Sequence, residues 1–428
     1  VISRRGTVED KNTISDYREI ELERQQSIQS TVLYSEYAGK KINILDCPGI
    51  DDFVGEVIGS LRVADTALMV INAQNGVDVG AEIQWRWTKK MHTPVVFVVN
   101  QLDHEKANFD ETLRELKHYF GGSVMPFQYP VNAGIGFDSV IDLLQMKLLK
   151  FPVGGGKVVV EDIPASEADK AEEMHNALIE AAAENDETLM DKFFEEGTLS
   201  EEEMAKGLRL GIINRGTFPV VCVASKQDQG VDRLMDIIIS SCPAPDEALP
   251  VQTTAGKDLT CNAADAPIAY VFKTSIEQHL GEVSFMKVYG GEIAEAADLV
   301  NNNTGAKERL SQILCFAGKN REKVDKAMAG DIVATIKMKG TQSGQTLVKS
   351  GDDIVAPTVY PDPKFRTAIK AKNSSDDEKL GAVLNDIRKT DLTFLSEQSK
   401  ELKQVIISGQ GEQHLNIIKW MIEKLNKI

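Results

Sequence analysis

Three short clusters carry the residue types that could handle a charged ligand. The first is Asp46-Cys47-Pro48-Gly49. An aspartate there can hold a divalent cation directly or through water, and the glycine amide can approach a phosphate with no side chain in the way. Alone, the same residues also make an ordinary turn. The second cluster is Asn100-Gln101-Leu102-Asp103. A carboxylate at Asp103 could accept both the ring N–H and the exocyclic amine of guanine, a pairing that adenine does not offer, while Asn100 braces the loop. In the third, Ala224-Ser225-Lys226, a backbone N–H could meet the guanine carbonyl.

Each cluster closes a short apolar run. Lys41–Leu45, Pro94–Asn100 and Pro219–Ser225 read as buried strands, as does Ala67–Ala73, and Gly80–Met91 is of helical length. Strands alternating with helices predict an α/β domain with a parallel sheet, whose ligands sit at the carboxyl ends of the strands. An insertion at about 154–216 precedes the last strand. Within it Met174, Ala177, Leu178 and Ala181 recur at helical spacing, and Ser200 with Glu203 forms a capping box.

The segment 242–250 holds three prolines and reads as a linker. Beyond it, APIAYVFKTS, GEVSFMKVYGGEI and GDIVATIKM are short, β-rich and punctuated by glycine, as in an antiparallel barrel. After YPDPKF (360–365) the order is β-α-β-β-α, a split βαβ domain that lacks one strand. The expected domains are 1–246, 247–358 and 359–428. Val1 and the run that follows it read as the middle of a sequence, so the chain is expected to continue at both ends.

Composition bounds the possibilities. A chain of 428 residues fits two to four domains, and its 42% hydrophobic and 26% charged content suits packed cores rather than disorder. No apolar run reaches the roughly 18–20 residues of a membrane span. Five cysteines without a CxxC pair, and no signal-like opening, point to a reducing cytoplasm. The net charge is −17, of which −14 lies between Glu161 and Ala205. That segment is either a solvated helical face or a surface for a basic or flexible partner. The remaining surface, at only −3, is free to approach RNA.

Other conspicuous residues have plainer roles. His118, His279 and His414 lack ligand partners at i+3 or i+4 and read as structural or surface residues. Trp85 and Trp87 should face different sides of a helix, one toward a core. Cys47 has no neighbouring base in sequence and is not expected to act as a nucleophile.

With the three clusters stand EIELERQQSIQS before DCPG, the helical insertion, GEVSFMKVYGGEI and AGDIVATI, and VIISGQGEQHLNIIKWMIEKL. On these the chain resembles the translational GTPases, specifically elongation factor G, over its whole length. The resemblance implies a P-loop-NTPase-like G domain with a helical insertion, an antiparallel β-barrel, and an incomplete ferredoxin-like domain. It implies GTP/GDP and Mg²⁺ as cofactors. Asp46, Gly49, Asn100, Gln101, Asp103, Ala224, Ser225 and Lys226 would bind the nucleotide, with Asp46 holding Mg²⁺ through water. The partners implied are ribosomal RNA and the flexible stalk protein, the latter through 161–205, for a monomer acting in tRNA–mRNA translocation. The switch region would run from about Ser15 to Gln29.

The family's phosphate-binding loop should precede residue 1. Nothing replaces it: residues five before the Gly-Lys pairs at Gly39, Gly156, Gly256 and Gly318 are Tyr34, Phe151, Val251 and Ile313, so GGGK at 154–157 is a decoy. Three departures matter. The position of the family's water-orienting histidine is Ile50, the switch threonine falls at Gln29, and Gln101 replaces a lysine that lies along the guanine ring. Ala224-Ser225 also inverts the usual Ser-Ala. Recognition is expected to persist while hydrolysis is weak. A fully active ribosome-dependent GTPase, and a ribosome-protection or recycling factor, are the alternatives. Substituting Asp103→Asn in the full-length protein should abolish discrimination of guanine from other bases, measured by competition between GTP, ITP and XTP.

Overall fold

The computed structural model describes residues 6–152, 157–277, 280–399 and 404–428. They form two compact units, one of residues 1–64 with 245–428 and the other of 65–244. In the first, α1 (Glu19–Arg24) leads to an antiparallel hairpin of β1 (Thr31–Tyr37) and β2 (Lys40–Asp46). Its two-residue turn, Ala38-Gly39, has φ of +46° and +74°. Both-positive turns match the twist of paired strands.

This hairpin corrects one expectation. The apolar run Lys41–Leu45 predicts a buried strand of the parallel sheet. Instead β2 pairs with β1 in a sheet of two, and Lys41 and Ile44 are exposed. The run alternates Lys, Ile, Asn, Ile, a period that suits a one-sided hairpin as well as a buried strand. A 3₁₀ turn (Asp51–Phe53) follows, and then α2 (Val54–Leu61), which buries Val54, Val57, Ile58 and Leu61.

The unit 65–244 runs β3 (Ala67–Asn72), α3 (Val79–Lys90), β4 (Val95–Asn100), α4 (Phe109–Phe120) and β5 (Val124–Pro126). Next come β6 (Gln128–Pro130), β7 (Ser139–Asp142), β8 (Lys147–Lys150) and β9 (Val159–Glu161), then α5 (Ala168–Ala183), α6 (Glu187–Glu196) and α7 (Glu201–Ile213). It ends with β10 (Phe218–Cys222) and α8 (Val231–Ser241). Strand β10 enters between β4 and β5, giving a parallel sheet in the order β3-β4-β10-β5. Val95 to Val99 are at most 2% exposed, as a central strand covered on both faces requires. Trp85 packs against Phe97, Phe120 and Phe218, while Trp87 lies half-buried beneath the Lys90 ammonium.

Strands β6 to β9 make an antiparallel sheet that sequence periodicity does not reveal, because three or four residues are too few to establish alternation. In the helical insertion the Ser200–Glu203 capping box is present. The helical spacing of Met174, Ala177, Leu178 and Ala181 falls within α5, and the face it buries is set by its neighbours. Ala171, Leu178, Ile179, Ala182 and Ala183 are buried, and Met174, Ala177 and Ala181 only partly so. The reason is close approach by α7, where a Cβ on Gly207 would lie 2.3 Å from the Ala182 carbonyl oxygen. Small residues therefore occupy the buried face.

Returning to the first unit, β11 (Val251–Gln252) pairs with β12 (Asp258–Leu259). The next strands are β13 (Ile268–Glu277), β14 (Gly281–Gly290), β15 (Glu292–Ala294), β16 (Asp298–Asn301), β17 (Ala306–Arg309), β18 (Ile313–Ala317), β19 (Asn320–Val324), β20 (Lys326–Met328), β21 (Ile332–Ile336) and β22 (Thr346–Val348). Eight of them form an antiparallel sheet in the order β17-β16-β22-β13-β14-β21-β18-β19, and β15 pairs with β20. The last segment holds β23 (Phe365–Ile369), α9 (Asp377–Thr390), β24 (Leu395–Ser399), β25 (Gln404–Gly409) and α10 (Glu412–Trp420). Its antiparallel sheet, β23-β25-β24, shares a core with both helices through Ile407, Leu380, Leu384, Leu415 and Ile418. No helix among the described residues is long and apolar enough to cross a membrane.

Substituting Gly207→Ala should force α5 and α7 apart. Overpacking of this kind costs roughly 1–3 kcal/mol, to be read as a lower midpoint of thermal unfolding.

Candidate functional site

The predicted residues fall in both units, and each group is built within its own. In 65–244 the organising side chain is Asn100, the last residue of β4. Its Oδ1 accepts from the Gln101 N–H at 2.8 Å and from the Ser225 N–H at 3.0 Å. One amide side chain thus ties the loop after β4 to the loop after β10. The tie is reinforced where Val223 N–H donates to the Val99 carbonyl at 2.9 Å. Leu102 is fully buried beneath the first loop, and Gly134 N–H donates to its carbonyl at 2.8 Å.

Gln101 sits at φ +62° with Oε1 accepting from Asn72 Nδ2 at 3.1 Å. Asp103 follows, half-buried. Ala224 is buried, whereas Ser225 and Lys226 are exposed in a 3₁₀ turn (Ser225–Gln227). The structure therefore gathers Asn100, Gln101 and Ser225 directly, with Asp103, Ala224 and Lys226 on the same two loops. The Ala224 amide donates to the Gln229 carbonyl and the Ser225 amide to Asn100. A base carbonyl would have to share one of these donors.

In the other unit Asp46 ends β2, opposite Thr31. Burial raises its carboxyl above the usual range, a hydrogen bond from Ser15 opposes this, and the Asp16 carboxylate adds to it. Ser27 Oγ donates to Asp16 Oδ1 at 2.8 Å. Two carboxyl groups and two hydroxyls thus converge, a hard-oxygen set of the kind Mg²⁺ takes, and a divalent cation would relieve the like-charge pair. Gly49 is exposed, and a Cβ there would meet nothing within 4 Å, which leaves its amide approachable.

Ser27 is a residue that sequence reading does not single out, and its hydroxyl stands on Asp16. Gln29 is the position predicted to take the place of the switch hydroxyl, yet its N–H donates to Glu21 Oε1 at 3.1 Å and it lines a cavity with Phe53, Lys273 and His414. The available signal was chemical, since Ser27 is the only hydroxyl between Gln25 and Gln29.

Ile50 packs against an apolar cluster of Ile20, Ile28, Phe53, Ile417 and Trp420. The next residues are held by charge: Asp51 pairs with Lys364 at 3.1 Å, and Asp52 accepts from the His414 N–H at 2.9 Å in the first turn of α10. His414 is buried, with Nδ1 accepting from the Gln410 N–H at 3.1 Å and Nε2 donating to Asp391 at 2.6 Å. Its role is structural. His118 is exposed, and His279 lies outside the described residues. Burial pushes the Cys47 thiol up to about 12, which keeps it protonated and unreactive near neutral pH.

Comparison with known proteins places these groups in context. Residues 1–244 match the family model described as elongation factor Tu GTP binding domain. Residues 267–350 match elongation factor G domain 2, and residues 360–428 match elongation factor G domain III. Among solved structures, the crystal structure of a protein from Thermus thermophilus is similar with a TM-score of 0.88 and 26% identity, covering 99% of this chain. This chain spans 62% of that one.

Substituting Asn100→Ala removes one acceptor from two loop amides. Each of these exposed hydrogen bonds is worth roughly 0.5–1.5 kcal/mol, and both hold the loops in register. GTP and GDP should both bind about tenfold or more weakly in the full-length protein, measured by fluorescent-nucleotide titration.

Proposed function

Because the chain belongs to the elongation factor Tu GTP-binding family and carries elongation factor G domains beyond it, we propose that it is a GTP-binding translation factor that promotes tRNA–mRNA translocation with weak hydrolysis. Asp103 reads the guanine edge, Gln101 packs along the base, and Asn100 holds their loop to Ala224, Ser225 and Lys226. Asp46 holds Mg²⁺ through water, with Ser27 and Asp16 beside it, and Gly49 offers its amide to the terminal phosphate. Bound Mg²⁺ supplies neutralisation of phosphate charge. The domains run 1–246, 247–358 and 359–428, and the site residues lie in the first.

The observation that carries weak hydrolysis is Ile50. Its hydrocarbon side chain packs on Ile20, Ile28 and Phe53 and offers no atom to orient a water. Groups that orient or deprotonate a nucleophile contribute on the order of 10² to 10⁴ in rate. The ribosome is the partner, with the acidic helices of 161–205 meeting the stalk protein. An exposed Phe194 ring on α6 adds an apolar contact to that surface. The factor acts as a monomer in the cytoplasm.

One observation favours a second reading, that of a fully active ribosome-dependent GTPase. The Ser27 hydroxyl beside Asp16 could stand in for the hydroxyl absent at Gln29, leaving Ile50 as the change that bears on the attacking water. Phosphate release from GTP on ribosomes separates the two. The unmodified full-length protein should be nearly silent, and Ile50→His should gain roughly 10²-fold or more. Family-normal release by the unmodified protein would overturn weak hydrolysis.

A further inference from the structure

We infer that Lys273, a residue of β13 far in sequence from any nucleotide motif, is a positioning residue that makes the segments 15–31 and 46–61 order as one body. The inference rests on the GTPase reading, in which those two segments respond to the terminal phosphate.

Lys273 is 7% exposed. An ammonium has three donors, and all three are used. Nζ reaches the Ser30 carbonyl oxygen at 2.9 Å, Ser30 Oγ at 3.0 Å and Glu56 Oε2 at 2.6 Å. Glu56 Oε2 also accepts from the Ser30 N–H at 2.9 Å and from Ser30 Oγ at 2.6 Å. Each of the three residues is therefore bonded to both others. Ser30 stands three positions after Ser27, and Glu56 lies in the first turn of α2, seven after Gly49.

The ring closes only when both segments are seated. If 15–31 leaves, Lys273 loses two acceptors and Glu56 two donors. If α2 leaves, a buried ammonium is left with no counter-ion. Loss of α2 thus strands a charge, and loss of 15–31 leaves the Lys273–Glu56 pair short of hydrogen-bond partners, so either half-seated state is disfavoured against the fully seated and fully released states. The same strand grips the other end of the first segment. Glu277, four residues on along β13, accepts from Arg18 NH2 at 3.3 Å and from the Tyr17 hydroxyl at 3.2 Å. Lys273 touches neither base nor phosphate. Its effect on nucleotide binding passes through Ser30 and Glu56.

The test uses the full-length protein with a non-hydrolysable GTP analogue and GDP. For Lys273→Met, affinity for the analogue should fall about tenfold or more while that for GDP changes less than about threefold, since a tenfold loss needs only part of the penalty for a stranded charge. Analogue-dependent protection from tryptic cleavage after Arg24 should disappear. Adding Glu56→Gln in the Lys273→Met background should cost less than Glu56→Gln alone, because there it neutralises a carboxylate that has already lost its counter-ion, whereas alone it strands the ammonium. An unchanged analogue-to-GDP ratio and unchanged protection, in a variant that melts like its parent, would overturn the inference and leave the GTPase reading standing. Should Lys273→Met fail to fold, Ser30→Ala decides. It keeps the ion pair and removes the hydroxyl link, so a ratio reduced about threefold supports the inference and an unchanged ratio overturns it. If the parent binds neither nucleotide, the GTPase reading itself fails and the inference with it.

Discussion

A buried charge that loses its partner costs roughly 3–5 kcal/mol, and in residues 1–64 with 245–428 that constraint falls on Lys273. The ammonium sits among the side chains of an eight-stranded sheet and is tolerable only because Ser30 and Glu56 use every one of its donors. Much else in the unit follows. Glu56 can serve Lys273 only from the first turn of α2, so the turn at Asp51–Phe53 must deliver α2 in that orientation. Asp51 and Asp52 secure the turn from its other side through Lys364 and the start of α10. Ile50, between this charged turn and Gly49, is drawn into the apolar cluster around Phe53.

The unit 65–244 obeys the corresponding rule for neutral polar groups. Loops at the ends of buried strands carry amides that must find acceptors, and Asn100 provides one for two loops at once. Leu102, fully buried between them, supplies the apolar anchor. The polar residues proposed to meet a base are thereby held at strand ends. A site of this kind recognises a ligand through preset geometry, and little ordering is left to the moment of binding.

Legibility varied with the length and strength of the local signal. Val95–Asn100 was unmistakable because five consecutive apolar residues fit a central parallel strand and little else. The capping box at Ser200 was equally plain, since its reciprocal bonds span only three positions, although Glu203 also pairs with Lys192. Strands β6 to β9 were too short to show a period. Spacing at Met174 to Ala181 marked α5 as a helix, but Gly207 lies on another helix, and its effect on which face packs is felt only after the chain has folded back. Gln29 and Ser27 differ by two places in a segment with no regular structure, where spacing alone cannot say which side chain turns toward Asp16.

The sequence by itself determined the chemistry on offer: a carboxylate after an apolar strand, an Asn-x-x-Asp loop, and a hydrocarbon side chain, Ile50, just after the strand-end glycine. These are properties of residue type and nearest neighbours, and folding does not alter them. Tertiary structure decided which of those groups meet. The bond of Ser27 to Asp16, the engagement of the Ser225 amide by Asn100, and the closing of Ser30, Glu56 and Lys273 into one ring depend on residues brought together by folding. Hydrogen bonds and ion pairs act over a few ångströms in space, and separation along the chain carries no information about that distance.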